Sequence, residues 1–176
     1  MRAEKLKRLL FRELLLEPDL FHEAGLDRLP DQLAEILDCP ADQAVGRAAA
    51  DPLLANFEFE QLQGLLSIRD MTLTSRTAAA VAAELKDPEV TYDTCCRRAL
   101  CYAVAGLHAH AMAALRTAAA KHGDWARHHY LLGLMLGQEE PTERALEELH
   151  RALQHEPYED GRIRVRRAID VIEGRG

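Results

Sequence analysis

Shifted against itself by 34 residues, the second half of this chain falls into register with itself. Cys95, Arg98, Ala99, Tyr102, Ala111, Leu115, Ala118 and Gly123 align with His129, Leu132, Gly133, Leu136, Ala145, Leu149, Ala152 and Pro157. Large aliphatics fill the gaps between small residues. Two antiparallel helices approach closely only where side chains are small, so Gly133 and Ala145 are expected to meet where the helices of one hairpin cross. Ala152 then lets the next helix nest, and Pro157, which cannot continue a helix, closes the unit. A period of this length is the mark of stacked hairpins.

The pattern resembles the tetratricopeptide (TPR) repeat, a helix-turn-helix with a Leu-Gly pair, two later alanines and a terminal proline. In residues 126–159 the match lies in Leu132-Gly133, Ala145, Ala152 and Pro157, with Leu136 and Leu149 in place of aromatics and His129 where the family usually has tryptophan. Residues 92–125 match through Tyr102, Ala111, Leu115 and Ala118, with Gly106 where the first helix should end; Cys95 and Arg98 depart from the pattern. The resemblance implies an all-α fold: antiparallel hairpins stacked as a short right-handed superhelix, an α-solenoid, with an N-terminal helical extension.

Composition agrees with helices throughout. Of 176 residues, 48% are hydrophobic and only 5% aromatic, with few β-branched side chains, so little or no sheet is expected. Residues 2–16 read as an amphipathic helix with Leu6, Leu9, Leu10 and Leu14 on one side and Lys5, Arg8, Arg12 and Glu13 on the other. Further helices are expected at 31–38, at 41–50, at 56–70 with Asn56 as cap, and at 75–86. The domain plan is an N-terminal cap or dimerisation region, 1–55, and a TPR-like domain, 56–176. The latter comprises a degenerate hairpin (56–88), repeats at 92–125 and 126–159, and a closing helix (160–174).

Charge and motifs narrow the chemistry. The net charge is −7, and residues 1–90 hold 10 Lys and Arg against 17 Asp and Glu. Such a surface repels phosphate and argues against nucleic acid. Residues 33–49 do resemble a DNA-reading helix-turn-helix, which makes a DNA-binding regulator, with the motif at about 31–50, the alternative. The second helix there offers Asp42 and Gln43 with only Arg47 as a cation. No apolar run reaches the length needed to span a bilayer, the N-terminus makes a poor signal peptide, and four cysteines form no secreted framework, so a cytoplasmic location is expected.

Seven of the eight histidines fall between residues 108 and 155. Their spacing with Cys95, Cys96 and Cys101 fits no zinc motif, and solvated histidines with small buried thiols are expected instead, with no metal and no cofactor. His128-His129 and Glu139-Glu140 are conceivable acid-base pairs, but no nucleophile elbow, phosphate loop or zinc-protease motif accompanies them, so no catalysis is expected. The run Glu139, Glu140, Glu143, Glu147 and Glu148 reads as a solvated helix face.

What the resemblance implies is a concave face, lined by the first helix of each unit, that receives a peptide or helix of a client protein. Its lining would comprise Cys96, Arg97, Leu100 and Val104 from one repeat, Arg127, Tyr130, Leu131, Leu134 and Gln138 from the next, and Arg164 of the closing helix. Aliphatics, one tyrosine and scattered arginines suit an amphipathic or acidic segment. The expected role is a non-enzymatic adaptor or small chaperone, with dimerisation through the N-terminal helices as a second use of that region.

Overall fold

A computed structural model describes residues 1–17, 20, 27–66, 91–104 and 106–176. The described residues form nine α-helices and no strand: α1 (Arg2–Leu15), α2 (Leu29–Leu37), α3 (Ala41–Ala50), α4 (Phe59–Leu66), α5 (Tyr92–Val104), α6 (His108–His122), α7 (Ala126–Leu136), α8 (Glu143–His155) and α9 (Glu159–Ile172). None of these helices is long and apolar enough to cross a membrane. The helix expected at 75–86, and with it most of the degenerate hairpin, lies outside the described residues.

Neighbouring helices pack as pairs, α2 with α3, α5 with α6 and α7 with α8, and α9 closes on α8. Tyr92 and Ala126, the first residues of α5 and α7, stand 34 positions apart. The small residues sit at the crossings. Ala99, Ala111, Ala118, Ala145 and Ala152 are fully buried. A Cβ built on Gly133 would lie 2.5 Å from Leu149 Cγ and 3.3 Å from the Ala145 carbonyl oxygen, so α7 and α8 touch backbone to side chain at that point. Gly106, in a left-handed conformation (φ +82°), follows the end of α5 and turns the chain into α6.

The N-terminal half differs in detail from its expectation. The second helix begins at Leu29, earlier than the expected Asp31, because Pro30 suits the first turn. It ends on Asp38 in a left-handed conformation (φ 48°, ψ 57°), and α3 follows at once. Asn56 does not cap the next helix. Its backbone N–H, like that of Leu53, donates to the Asp51 carboxylate, and the helix starts at Phe59 where the Gln61 side chain accepts from the Glu58 N–H. That is the return half of a capping box.

Helix α1 is the hub. It packs on α3, α4, α5, α7 and α9, and Leu6, Leu9, Leu10, Phe11, Leu14 and Leu15 belong to one core that runs through to Ile172. It is also tied along its polar side: Arg8 donates to the Leu54 and Phe57 carbonyls, Arg12 to Ala49, and Arg2 to Gly137. Gly137 is required where it stands, since a Cβ there would come within 2.9 Å of Leu6 Cδ1 and 2.7 Å of Ile172 Cδ1. The two-sided reading of residues 2–16 is corrected at Glu13, which is only 2% exposed. A helix surrounded on most sides has no broad solvent face on which to put it.

Candidate functional site: the face covered by the N-terminal helix

The side chains expected to line a client groove come from α5, α7 and α9, the helices on which α1 lies. Cys96, Leu100, Tyr130, Leu131 and Leu134 are buried; Arg97, Val104, Arg127, Gln138 and Arg164 are half-buried. Three of the arginines are engaged by the acids of α1 and the residues just beyond it. Glu17 receives Arg127 Nη2 at 2.8 Å and lies 3.7 Å from Arg97 Nε. Glu13 lies 3.4 Å from Arg164 Nη1, beside the Tyr130 hydroxyl. Gln138, just past the end of α7, instead turns back on that helix and donates to the Leu134 carbonyl.

Burial governs the titratable groups of this face. The Cys96 thiol is pushed up to about 12, mainly by burial, with a hydrogen bond from Tyr92 and the charge of Arg127 acting against it. The Tyr130 hydroxyl is held well above its ordinary value by burial and by the neighbouring Glu13 carboxylate. Both groups are neutral at pH 7, and the charges of the face are those of its arginines and of the two glutamates paired to them.

Part of the face stays open. Between α1, α7 and α9 lies a cavity of about 370 Å³ lined by Leu9, Arg12, Leu16, Pro52, Tyr130, Asp160, Ile163, Arg164 and Arg167. Leu16 and Ile163 are exposed large hydrophobics. The wall therefore combines apolar surface with three guanidinium groups and a single carboxylate. Of the residues read from the sequence, only Tyr130 and Arg164 border this opening; Leu9, Arg12, Ile163 and Arg167 were missed, because nothing in a linear pattern says which side of α9 meets α1.

Two other expectations change. His128 and His129 are buried rather than solvated, at 1% and 5% exposure, and Glu148 leaves the solvated acidic face to reach His129 Nδ1 at 2.5 Å. The expected thiols are in place, with Cys95, Cys96 and Cys101 buried and Cys39 half-buried. The residues 31–50 do form a helical hairpin, and the exposed side of α3 carries Asp42, Gln43, Gly46 and Arg47.

No family model, curated protein or solved structure matches this chain, so the geometry alone carries the functional reading.

Proposed function

We propose that this chain is a non-enzymatic protein-interaction module of the adaptor or small-chaperone kind, in which α5 to α9 stack as short TPR-like hairpins. Their first helices form a face for acidic, amphipathic helices. The observation that carries this reading is the seating of α1: an amphipathic helix, basic overall, whose Glu13, with Glu17 just past its end, meets Arg164, Arg127 and Arg97 on that face. That packing supports a helix-in-groove mode with apolar anchors and acid-arginine pairs.

Magnitudes decide where a client enters. Burying each large apolar side chain of α1 is worth about 1.5–3 kcal/mol, so six of them contribute roughly 9–18 kcal/mol before the entropy of ordering the helix, an upper figure because the unfolded chain already hides some surface. A client does not displace such a helix cheaply. The open cleft beside it, with Leu16 and Ile163 as apolar anchors and Arg12, Arg164 and Arg167 around them, is the entrance. Three cations against Asp160 favour an acidic segment.

The test is a photo-crosslinking residue at position 163 of the full chain, followed by reconstitution with the purified captured protein. Ile163→Glu and Arg167→Glu are expected to abolish binding while leaving helicity intact, and Tyr158→Ala, at an exposed position outside the cleft, to leave it unchanged. Binding that ignores both cleft variants overturns the reading. The DNA-binding alternative gains nothing from α3, whose exposed Asp42 offsets Arg47. A mobility shift with mixed DNA is expected to show no salt-sensitive retardation.

A further inference from the structure

Two polar rings inside an apolar bundle need partners, since a buried imidazole without them is costly. His128 and His129, in the first turn and a half of α7, find theirs in an ordered way. His128 Nδ1 is 2.8 Å from the Tyr92 hydroxyl, and His129 Nδ1 is 2.5 Å from Glu148 Oε2. Both Nδ1 atoms are thus fixed by an outer group, and both Nε2 atoms turn the same way. They converge on one carboxylate, Asp124, in the turn between α6 and α7. Asp124 Oδ1 hydrogen-bonds His129 Nε2 and lies 3.8 Å from His128 Nε2; Asp124 Oδ2 lies 3.3 Å from His155 Nε2, at the end of α8. The ligand atoms of Asp124, His128 and His129 all fall within 4.8 Å of one another.

We infer that Asp124, His128, His129 and His155 form a binding site for one zinc ion, a closed structural site with three imidazoles and one carboxylate. Zinc bonds to nitrogen and carboxylate oxygen are about 2.0–2.2 Å, so tetrahedral ligand atoms stand roughly 3.3–3.5 Å apart. The separations of His155 and His128 from the two Asp124 oxygens, 3.3 and 3.8 Å, are near that size; His155 turns in from its place beside Oδ2, and the hydrogen-bonded His129–Asp124 pair opens, the metal taking the place of the proton between them. Asp124 and His155, 62% and 39% exposed at their side chains, make that adjustment from the solvent side while the buried pair stays fixed.

The outer groups are those a zinc-bound histidine requires. Glu148 accepts from His129 Nδ1–H, the carboxylate–histidine–metal arrangement that sets ring orientation and raises ligand basicity. Tyr92 accepts from His128 Nδ1–H and from the His128 backbone N–H, and its own O–H donates to the Cys96 sulfur. Four protein ligands leave no open coordination position, so the ion holds structure and does no chemistry: it pins the α6–α7 turn to the end of α8. The ligand pattern D-x3-H-H-x25-H spans two helices of one hairpin, which is why no short zinc motif betrays it.

The full chain, stripped with a chelator and dialysed, is titrated with zinc chloride by calorimetry and with cobalt(II) by visible absorption. Trp125, the single tryptophan and the neighbour of Asp124, supplies a third readout through quenching by cobalt. One ion per chain is expected, with the intense spectrum of tetrahedral cobalt. Asp124→Ala and His155→Ala, at partly exposed positions, are expected to lose stoichiometric binding at unchanged helicity, Glu148→Gln to bind about 10–100-fold more weakly, and His150→Ala, an exposed histidine of the same helix, to bind as the parent does. The inference is overturned if the parent takes up no zinc, if binding survives both Asp124→Ala and His155→Ala, if His150→Ala abolishes it equally, or if bound cobalt keeps the weak spectrum of its aquated ion.

Discussion

Arg127 donates to Glu17 at 2.8 Å across 110 positions of sequence, tying the segment after α1 to the first turn of α7. Both side chains are about one-quarter exposed, so the pair is neither a free surface contact nor a dry one. Its coupling is expected to be about 0.5–1 kcal/mol, the upper part of the range for exposed pairs. A double-mutant cycle with Glu17→Gln and Arg127→Gln, read by urea unfolding, measures it. Additive single effects would show that the pair is uncoupled, and a second cycle with Arg97→Gln then tests the other cation, 3.7 Å from the same carboxylate.

Glu13 is more consequential because it is almost wholly buried while its partner Arg164 is about one-third exposed. Removing the arginine leaves a carboxylate inside the core beside Tyr130. Arg164→Ala is therefore expected to cost about 1–3 kcal/mol, less than a fully buried pair would lose because solvent reaches the guanidinium. Glu13→Gln, which removes the charge but keeps an acceptor for its neighbours, is expected to cost less than 1 kcal/mol, and the double change to recover part of the loss. Equal losses for the two single variants would refute the desolvation argument.

The glycines separate close approach from mere permissiveness. Gly133→Ala places a methyl group 2.5 Å from Leu149 Cγ, and the repacking is expected to cost about 1–3 kcal/mol, partly offset by the better helix propensity of alanine. Gly46, on the exposed side of α3, has nothing within 4 Å of the same position. Gly46→Ala is expected to stabilise by about 0.5–1 kcal/mol. Thermal melts of the two variants should move in opposite directions, and a shift of the same sign in both would remove Gly133 as a contact between helices.

What the sequence disclosed and what it hid follow from distance along the chain. The hairpins were legible because Gly133, Ala145 and Leu149 lie within one repeat and their sizes record a crossing between neighbours. The termini of α1 and α3 were legible from Pro18, Pro40 and Pro52, which bound their apolar periods. The seating of α1 was not, since Glu13 meets Arg164 across 151 positions and no local period encodes which helix an amphipathic segment will cover. The histidine cluster stayed hidden for the same reason, its members being ordinary residues until α7, α8 and the turn at Asp124 come together.

Cys96 offers a pH test of the covered face. Its folded value of about 12 stands above an ordinary 9.0, burial being the main cause, and the groups acting on it are Tyr92, Arg127, Cys95 and Asp93. The folded chain therefore holds this proton more tightly than the unfolded chain does. The resulting stability is fully present below about pH 9 and is lost as the pH rises toward about 12, because the unfolded state gains a thiolate that the folded state resists. The urea midpoint is expected to fall over that window, and to fall less steeply in Cys96→Ala; equal slopes would mean that the thiol does not contribute. At neutral pH the reactive species is the thiolate, so iodoacetamide should label half-buried Cys39 alone on the folded chain and reach Cys95, Cys96 and Cys101 only after unfolding. Mass spectrometry of the intact chain counts the adducts, and labelling of Cys96 without loss of helicity would show that α1 leaves its seat far more readily than its buried apolar surface allows.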